Sequence, residues 1–172
     1  MHREKFLIPV VLGLASVISA APQDVGGQRD CRSMPLTQQG YSVASLSGDY
    51  SAIATYGGNV ARALGTQTFD GCGKLDGAAF VNQPGPGGTR VVVNITFTGT
   101  YTVNSDGTGK MVLTITLPNG TTANATEDFV IARAQKGDSG LIATEVIDAQ
   151  EQPSTVIPGG VFVTHTYILR PE

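Results

Sequence analysis

The chain has 172 residues and a net charge of −3 at pH 7, with 15% charged residues against about 25% in ordinary domains. That length makes one domain with a sizeable core, and the acidic balance excludes the clustered basic face that a nucleic acid requires. Tryptophan is absent, while Thr, Val and Gly are abundant, a composition of β-strands joined by tight turns.

Residues 1–20 read as a secretory signal. Arg3 and Lys5 charge its start, Phe6 to Val17 is apolar but too short to span a bilayer, and Ile18-Ser19-Ala20 is an acceptable cleavage site. The alternative is an uncleaved anchor. Removing Arg3, Glu4 and Lys5 leaves a chain one unit more negative than −3. No later apolar run reaches membrane length, and Leu169-Arg170-Pro171-Glu172 is no lipid-anchor tail. A soluble, secreted product with no nucleic-acid or membrane partner is expected, and nothing in the sequence specifies its oligomeric state.

Residues 21–45, rich in Gly, Gln, Asp and Pro, read as a flexible N-terminal arm. Cys31 in the arm and Cys72 are the only cysteines, and in an oxidising compartment they read first as one disulfide, with two free thiols as the alternative. Two cysteines without a neighbouring His cannot supply four metal ligands. The only histidines are His2, inside the signal, and His165, so no metal centre and no cofactor are expected.

Residues 46–172 form the domain, a succession of strands. Tyr50 to Tyr56 follows Ser47-Gly48-Asp49, and Gly57-Gly58-Asn59 turns into a run from Val60 to Phe69. Asp70-Gly71-Cys72-Gly73 is a hairpin turn echoed by Asp106-Gly107-Thr108-Gly109, because Gly accepts positive φ at little cost. Lys74 to Val81 leads to Pro84-Gly85-Pro86-Gly87-Gly88, a loop that no strand interior tolerates. Next comes the clearest strand. Val91, Val93, Ile95, Phe97, Gly99, Tyr101 and Val103 share one face, and Asn94 and a row of threonines share the other, with Val92 the intruder. Its partner repeats the code through Met111, Leu113, Ile115 and Leu117. Further strands run over about 121–134, 141–147 and 161–170. About eight long strands joined mainly by short turns predict an all-β fold, a single antiparallel up-and-down barrel, with a β-sandwich as the alternative.

Three Asn-x-Thr triplets, at Asn94, Asn119 and Asn124, are candidate glycosylation sites, set against chance in a Thr-rich chain. The Asp-Gly loops lack the acidic ligands of a Ca²⁺ site, and no phosphate loop or Ser nucleophile elbow is present.

The runs Leu46-Ser47-Gly48-Asp49-Tyr50, Gly65-Thr66 to Asp70-Gly71-x-Gly73-x-Leu75, and Gly99-Thr100-Tyr101-Thr102-Val103-Asn104-x-Asp106-Gly107-Thr108-Gly109 resemble a group of small secreted microbial and fungal proteins. Those are barrels related to allene oxide cyclase and the dirigent proteins, within the lipocalin-like (calycin) shape. The resemblance covers about residues 46–170 and implies a barrel that shapes a hydrophobic molecule in its lumen. Its motifs are turns and strands, and no catalytic residue carries over from it.

Strand parity supplies the candidates for a site. His165 shares a face with Val161, Val163, Tyr167 and Leu169, Glu145 with Leu141, Ala143 and Ile147, and Glu127 with Phe129 and Ile131. A His and a carboxylate in an apolar lumen suit general acid–base work, so His165 and Glu145 are the candidate catalytic pair. Tyr101, Glu127 and Tyr167 are the candidate ligand-binding residues. A single bulge would invert parity and turn Glu145 outward. The leading reading is a secreted barrel binding a small hydrophobic molecule. The alternatives are a cofactor-free isomerase or cyclase and a non-enzymatic extracellular or cell-wall interaction protein. A lumen of about 300 Å³ or more would favour the first two.

Overall fold

A computed structural model describes residues 40–171 apart from 59, 139 and 158. Among them the expected barrel closes with eight antiparallel strands in chain order: β1 (Ser47–Tyr56), β2 (Ala61–Asp70), β3 (Lys74–Pro84), β4 (Arg90–Val103), β5 (Thr108–Thr116), β6 (Thr122–Gly137), β7 (Gly140–Gln150) and β8 (Val163–Leu169). β8 pairs with β1, so the sheet has no long open edge. The signal segment, Cys31 and most of the arm lie outside the described residues. Residues 40–45, read from sequence as arm, instead fold onto the barrel. Tyr41 N–H donates to the Ser105 carbonyl at 3.1 Å, and Val43–Ser45 forms a single 3₁₀ turn.

The two Asp-Gly-x-Gly turns lie at the same end of the barrel. Asp70 Oδ1 accepts the backbone N–H groups of Cys72 and Lys74 at 2.7 and 2.9 Å. Asp106 Oδ1 accepts the backbone N–H and hydroxyl of Thr108 at 2.9 and 2.7 Å. Gly71 and Gly107 take φ of 75° and 89°, which a side chain would strain. Both aspartates therefore shape turns. This end is packed by Tyr50, Phe69, Tyr101, Leu46 and Met111, all buried. Phe69 stands edge-to-face against Tyr50 and Tyr101, each with centroids 5.2 Å apart. At the other end the connection from β7 to β8 folds inward, burying Ser154 and Ile157 and bridging Ser154 to Val161.

Alternation holds along β4, where Ile95 and Tyr101 are buried and Arg90, Val92 and Asn94 are exposed. It fails between β6 and β7. Ile131 faces Val146, but Arg133 faces Glu145 and Ala134 faces Ala143. Ala132 and Thr144 are thus extra residues, one on each strand, and beyond them both strands reverse which side chains point inward.

Candidate functional site

The bulge decides the composition of the site. Past it, Val146, Asp148 and Gln150 point inward, and Glu145 turns outward. Glu145 Oε2 accepts from Arg133 Nε at 3.1 Å on the outer surface. The expected pairing of Glu145 with His165 in the lumen is therefore not made. Asp148, which parity from Leu141 had placed outside, takes its place.

Asp148 is fully buried and holds three donors. Its Oδ1 accepts the backbone N–H and ring Nδ1 of His165, each at 2.8 Å, and its Oδ2 accepts the Tyr167 hydroxyl at 2.8 Å. The imidazole also lies over the Tyr167 ring, with centroids 5.6 Å apart. Glu127, directed inward from β6, brings Oε1 to 3.7 Å from His165 Nδ1. Its other oxygen, Oε2, is buried without a hydrogen-bond partner, and so is Oε1 of Gln150, which faces Glu127 directly across β6 and β7.

Burial and charge set the proton balance of these groups. Burial dominates at Glu127 and pushes its carboxyl up to about 8, with His165 opposing. Burial alone would lower His165, but the charges of Asp148 and Glu127 outweigh it and raise the imidazole to about 9. At Asp148 the burial penalty is overcome by His165 and by hydrogen bonds from His165, Glu127 and Tyr167, which hold it below the usual carboxylate range. Burial foremost, with the nearby carboxylates, raises Tyr56 to about 12 and holds Tyr167 well above the ordinary tyrosine range. The cluster thus sets a strengthened base, His165, and a weakened acid, Glu127, on either side of an acidic Asp148.

The cluster borders a cavity of about 40 Å³. That is room for roughly three water molecules, so the lumen does not reach the volume of about 300 Å³ that would favour a binder or an enzyme over an interaction protein. Its wall is mainly small, with Ala52, Ala54, Ala63, Gly65 and Ala79 from β1, β2 and β3. Ile95, Phe97, Leu113 and Ile115 close the far side, and Ser154 and Val156 reach in from the β7–β8 connection. Gln67, Glu127, Gln150, His165 and Tyr167 supply the polar lining. Gln67 was not singled out from sequence, although it alternates with Ala63, Gly65 and Phe69 and is buried with only a weak bond to Met111 Sδ at 3.6 Å.

Of the five sequence candidates, His165, Glu127 and Tyr167 meet. Tyr101 points inward but at the other end of the barrel, where its hydroxyl donates to the carbonyls of Leu46 and Val43 at 2.8 and 3.1 Å. It pins the 3₁₀ turn and does not line the cavity. Ligand atoms of Glu127, Asp148 and His165 all lie within 4.8 Å of one another, so the trio can also hold a divalent cation. The lone-His argument of the sequence excludes only centres with several histidines. A metal on Nδ1 would have to displace the His165–Asp148 hydrogen bond.

No protein-family profile matches the chain. A search of curated proteins finds no match either.

Proposed function

We propose that this protein is a secreted barrel that binds a small, mainly apolar molecule in its lumen. The observation carrying this reading is a cavity with an alanine-rich wall on which the polar groups of Glu127, His165 and Gln150 converge. A ligand of a few heavy atoms fits as the cavity stands. A longer one has to displace Ser154 and Val156. The signal at residues 1–20, a Cys31–Cys72 disulfide and glycans on Asn94, Asn119 and Asn124 belong to the same proposal. All three asparagines are exposed. The likeness to allene oxide cyclases and dirigent proteins is consistent with this reading.

The test is extraction of natively purified protein with organic solvent and mass spectrometry of the extract, together with binding of the recovered compound. Val156→Ala, which widens the cavity, should bind it more tightly, and Ala63→Phe, which fills the lumen, should abolish binding. Unchanged affinity in a folded Ala63→Phe protein would refute a lumenal site.

A second reading, a cofactor-free isomerase or cyclase, is favoured by the buried cluster in which Asp148 holds His165 and Tyr167 at 2.8 Å, with Glu127, its carboxyl raised by burial, 3.7 Å from the imidazole. Glu127 can give a proton to a substrate oxygen and recover one when the rearranged product forms, so the net reaction consumes nothing. Turnover lost in Glu127→Gln with binding kept would establish catalysis.

A further inference from the structure

The outer wall of the barrel carries a row of apolar side chains that ends on an asparagine. Ile53 faces Leu64 across β1 and β2, Leu64 faces Phe80 across β2 and β3, and Phe80 faces Asn94 across β3 and β4. These registers run without a bulge, so the four side chains share the outer face. Leu64 and Phe80 are 62% and 63% exposed, and Val92, two residues before Asn94 on the same face, is 62% exposed. Isolated exposed apolar residues are ordinary, but a contiguous row marks a surface that meets something.

Asn94 supplies the means of covering it. Asn94-Ile95-Thr96 is an Asn-x-Thr acceptor in which Asn94 and Thr96 are exposed and Ile95 is buried. Side chains directly opposed on neighbouring strands have Cβ atoms about 4.5–5.5 Å apart, so a first sugar on Asn94 starts beside the Phe80 ring. A pyranose has a face of C–H groups, which suits the negative face of an aromatic ring, and a rim of hydroxyls that stays in water. Each further strand lies about 4.8 Å away, close to the length of one sugar, so successive sugars reach Leu64 and Ile53. The other two acceptors have polar neighbours. Asn124 faces Thr114, whose hydroxyl donates to its Oδ1 at 3.2 Å, and Asn119 Oδ1 accepts the Thr121 N–H at 3.0 Å. A second copy of the chain would need about 800 Å² on each partner, whereas these few side chains offer roughly half of that.

Resting on the secretory reading, we propose that an oligosaccharide linked to Asn94 lies along the barrel wall, its first sugar stacked on Phe80 and its next sugars over Leu64 and Ile53. It masks the apolar row and keeps the secreted barrel from associating with itself. Sugars on Asn119 and Asn124 do not share this task.

The experiment secretes the full chain from eukaryotic cells and maps the sugars on the three asparagines by glycopeptide mass spectrometry. Asn94 should be occupied. In the NMR spectrum the proton signals of its first sugar should move upfield under the Phe80 ring current, and Phe80→Leu, which keeps an apolar side chain without the ring, should remove that shift. Light scattering should show Asn94→Gln associating with itself at concentrations at least threefold below wild type, with Asn119→Gln and Asn124→Gln unchanged. Adding Phe80→Lys to Asn94→Gln should restore the monomer. The wild-type spectrum decides the matter even if Asn94→Gln does not fold. Sugars on Asn119 or Asn124 but none on Asn94, or a first sugar without the ring-current shift, would overturn the proposal and leave the secretory reading standing. An Asn94→Gln protein as soluble as wild type would overturn the masking role. A chain that stays inside the cell with all three asparagines unmodified would sink the secretory reading and this proposal with it.

Discussion

Glu127 and His165 both retain protons in the folded protein at pH values where they would release them in an unfolded chain. The carboxyl moves from 4.5 to about 8 and the imidazole from 6.5 to about 9. Between about pH 4.5 and 9 the folded state therefore binds more protons than the unfolded state, and stability falls as pH rises through that window. The His165 contribution is complete below pH 6.5 and lost through about 9. Asp148 is lowered and works in the opposite sense, losing its contribution as pH falls through the acid range. Calorimetric melting should be highest at mildly acidic pH, with a slope approaching about 1.4 kcal/mol per pH unit for each fully retained proton. Glu127→Gln should flatten the limb between pH 4.5 and 8, and an unchanged limb would show that Glu127 is ionised in the fold. At the other end of the barrel, Tyr101→Phe should cost about 1–3 kcal/mol, since it strips a donor from two inward-facing carbonyls. It should leave lumenal binding unaltered. Urea unfolding with a parallel binding titration checks both halves of that statement.

Glycine and phenylalanine are matched across neighbouring strands. Gly77 faces Phe97 across β3 and β4, and Gly109 faces Phe129 across β5 and β6. In each pair the ring covers the glycine. A Cβ at Gly109 would meet the Phe129 ring and the Thr102 carbonyl, both at 2.2 Å. The carbonyl is backbone and cannot swing away, so Gly109→Ala should destabilise by about 1–3 kcal/mol, read as a lower denaturation midpoint. The β6–β7 bulge gives the opposite expectation for Glu145. Its partner Arg133 is well exposed, and surface ion pairs contribute about 0–1 kcal/mol. Glu145→Gln should therefore change neither stability nor ligand binding measurably, unlike Glu127→Gln. A loss of binding in Glu145→Gln would mean that the strand carries no bulge in solution.

Over the whole molecule, one barrel end is a packed aromatic core and the other is a small polar-lined cavity. The outer wall also carries an apolar row: Ile53, Leu64 and Phe80 are cross-strand neighbours on β1, β2 and β3, and all are exposed. Phe80→Lys should improve solubility at high concentration, as measured by light scattering, with the melting temperature little changed. A large fall in melting temperature would show that the row is covered by something the barrel needs.

The inner and outer faces were legible because β4 and β5 alternate over their full length, and closure was favoured over a sandwich by about eight long strands that would otherwise leave exposed edges. The turns were legible too, because Asp-Gly-x-Gly leaves the backbone few alternatives. His165, Glu127 and Tyr167 could be placed in the lumen because β6 before its bulge and β8 keep strict period. Asp148 could not. β7 is apolar on both faces, with Ile142 and Val146 on one parity and Ala143 and Ile147 on the other, so its sequence fits either orientation. The choice was made by paired extra residues on two strands, which cost nothing in pattern and appear only when the strands are laid side by side. The cavity's size was equally invisible. It is the space left between alanines on three strands and the side chains of Ser154 and Val156, and only tertiary packing sets that difference.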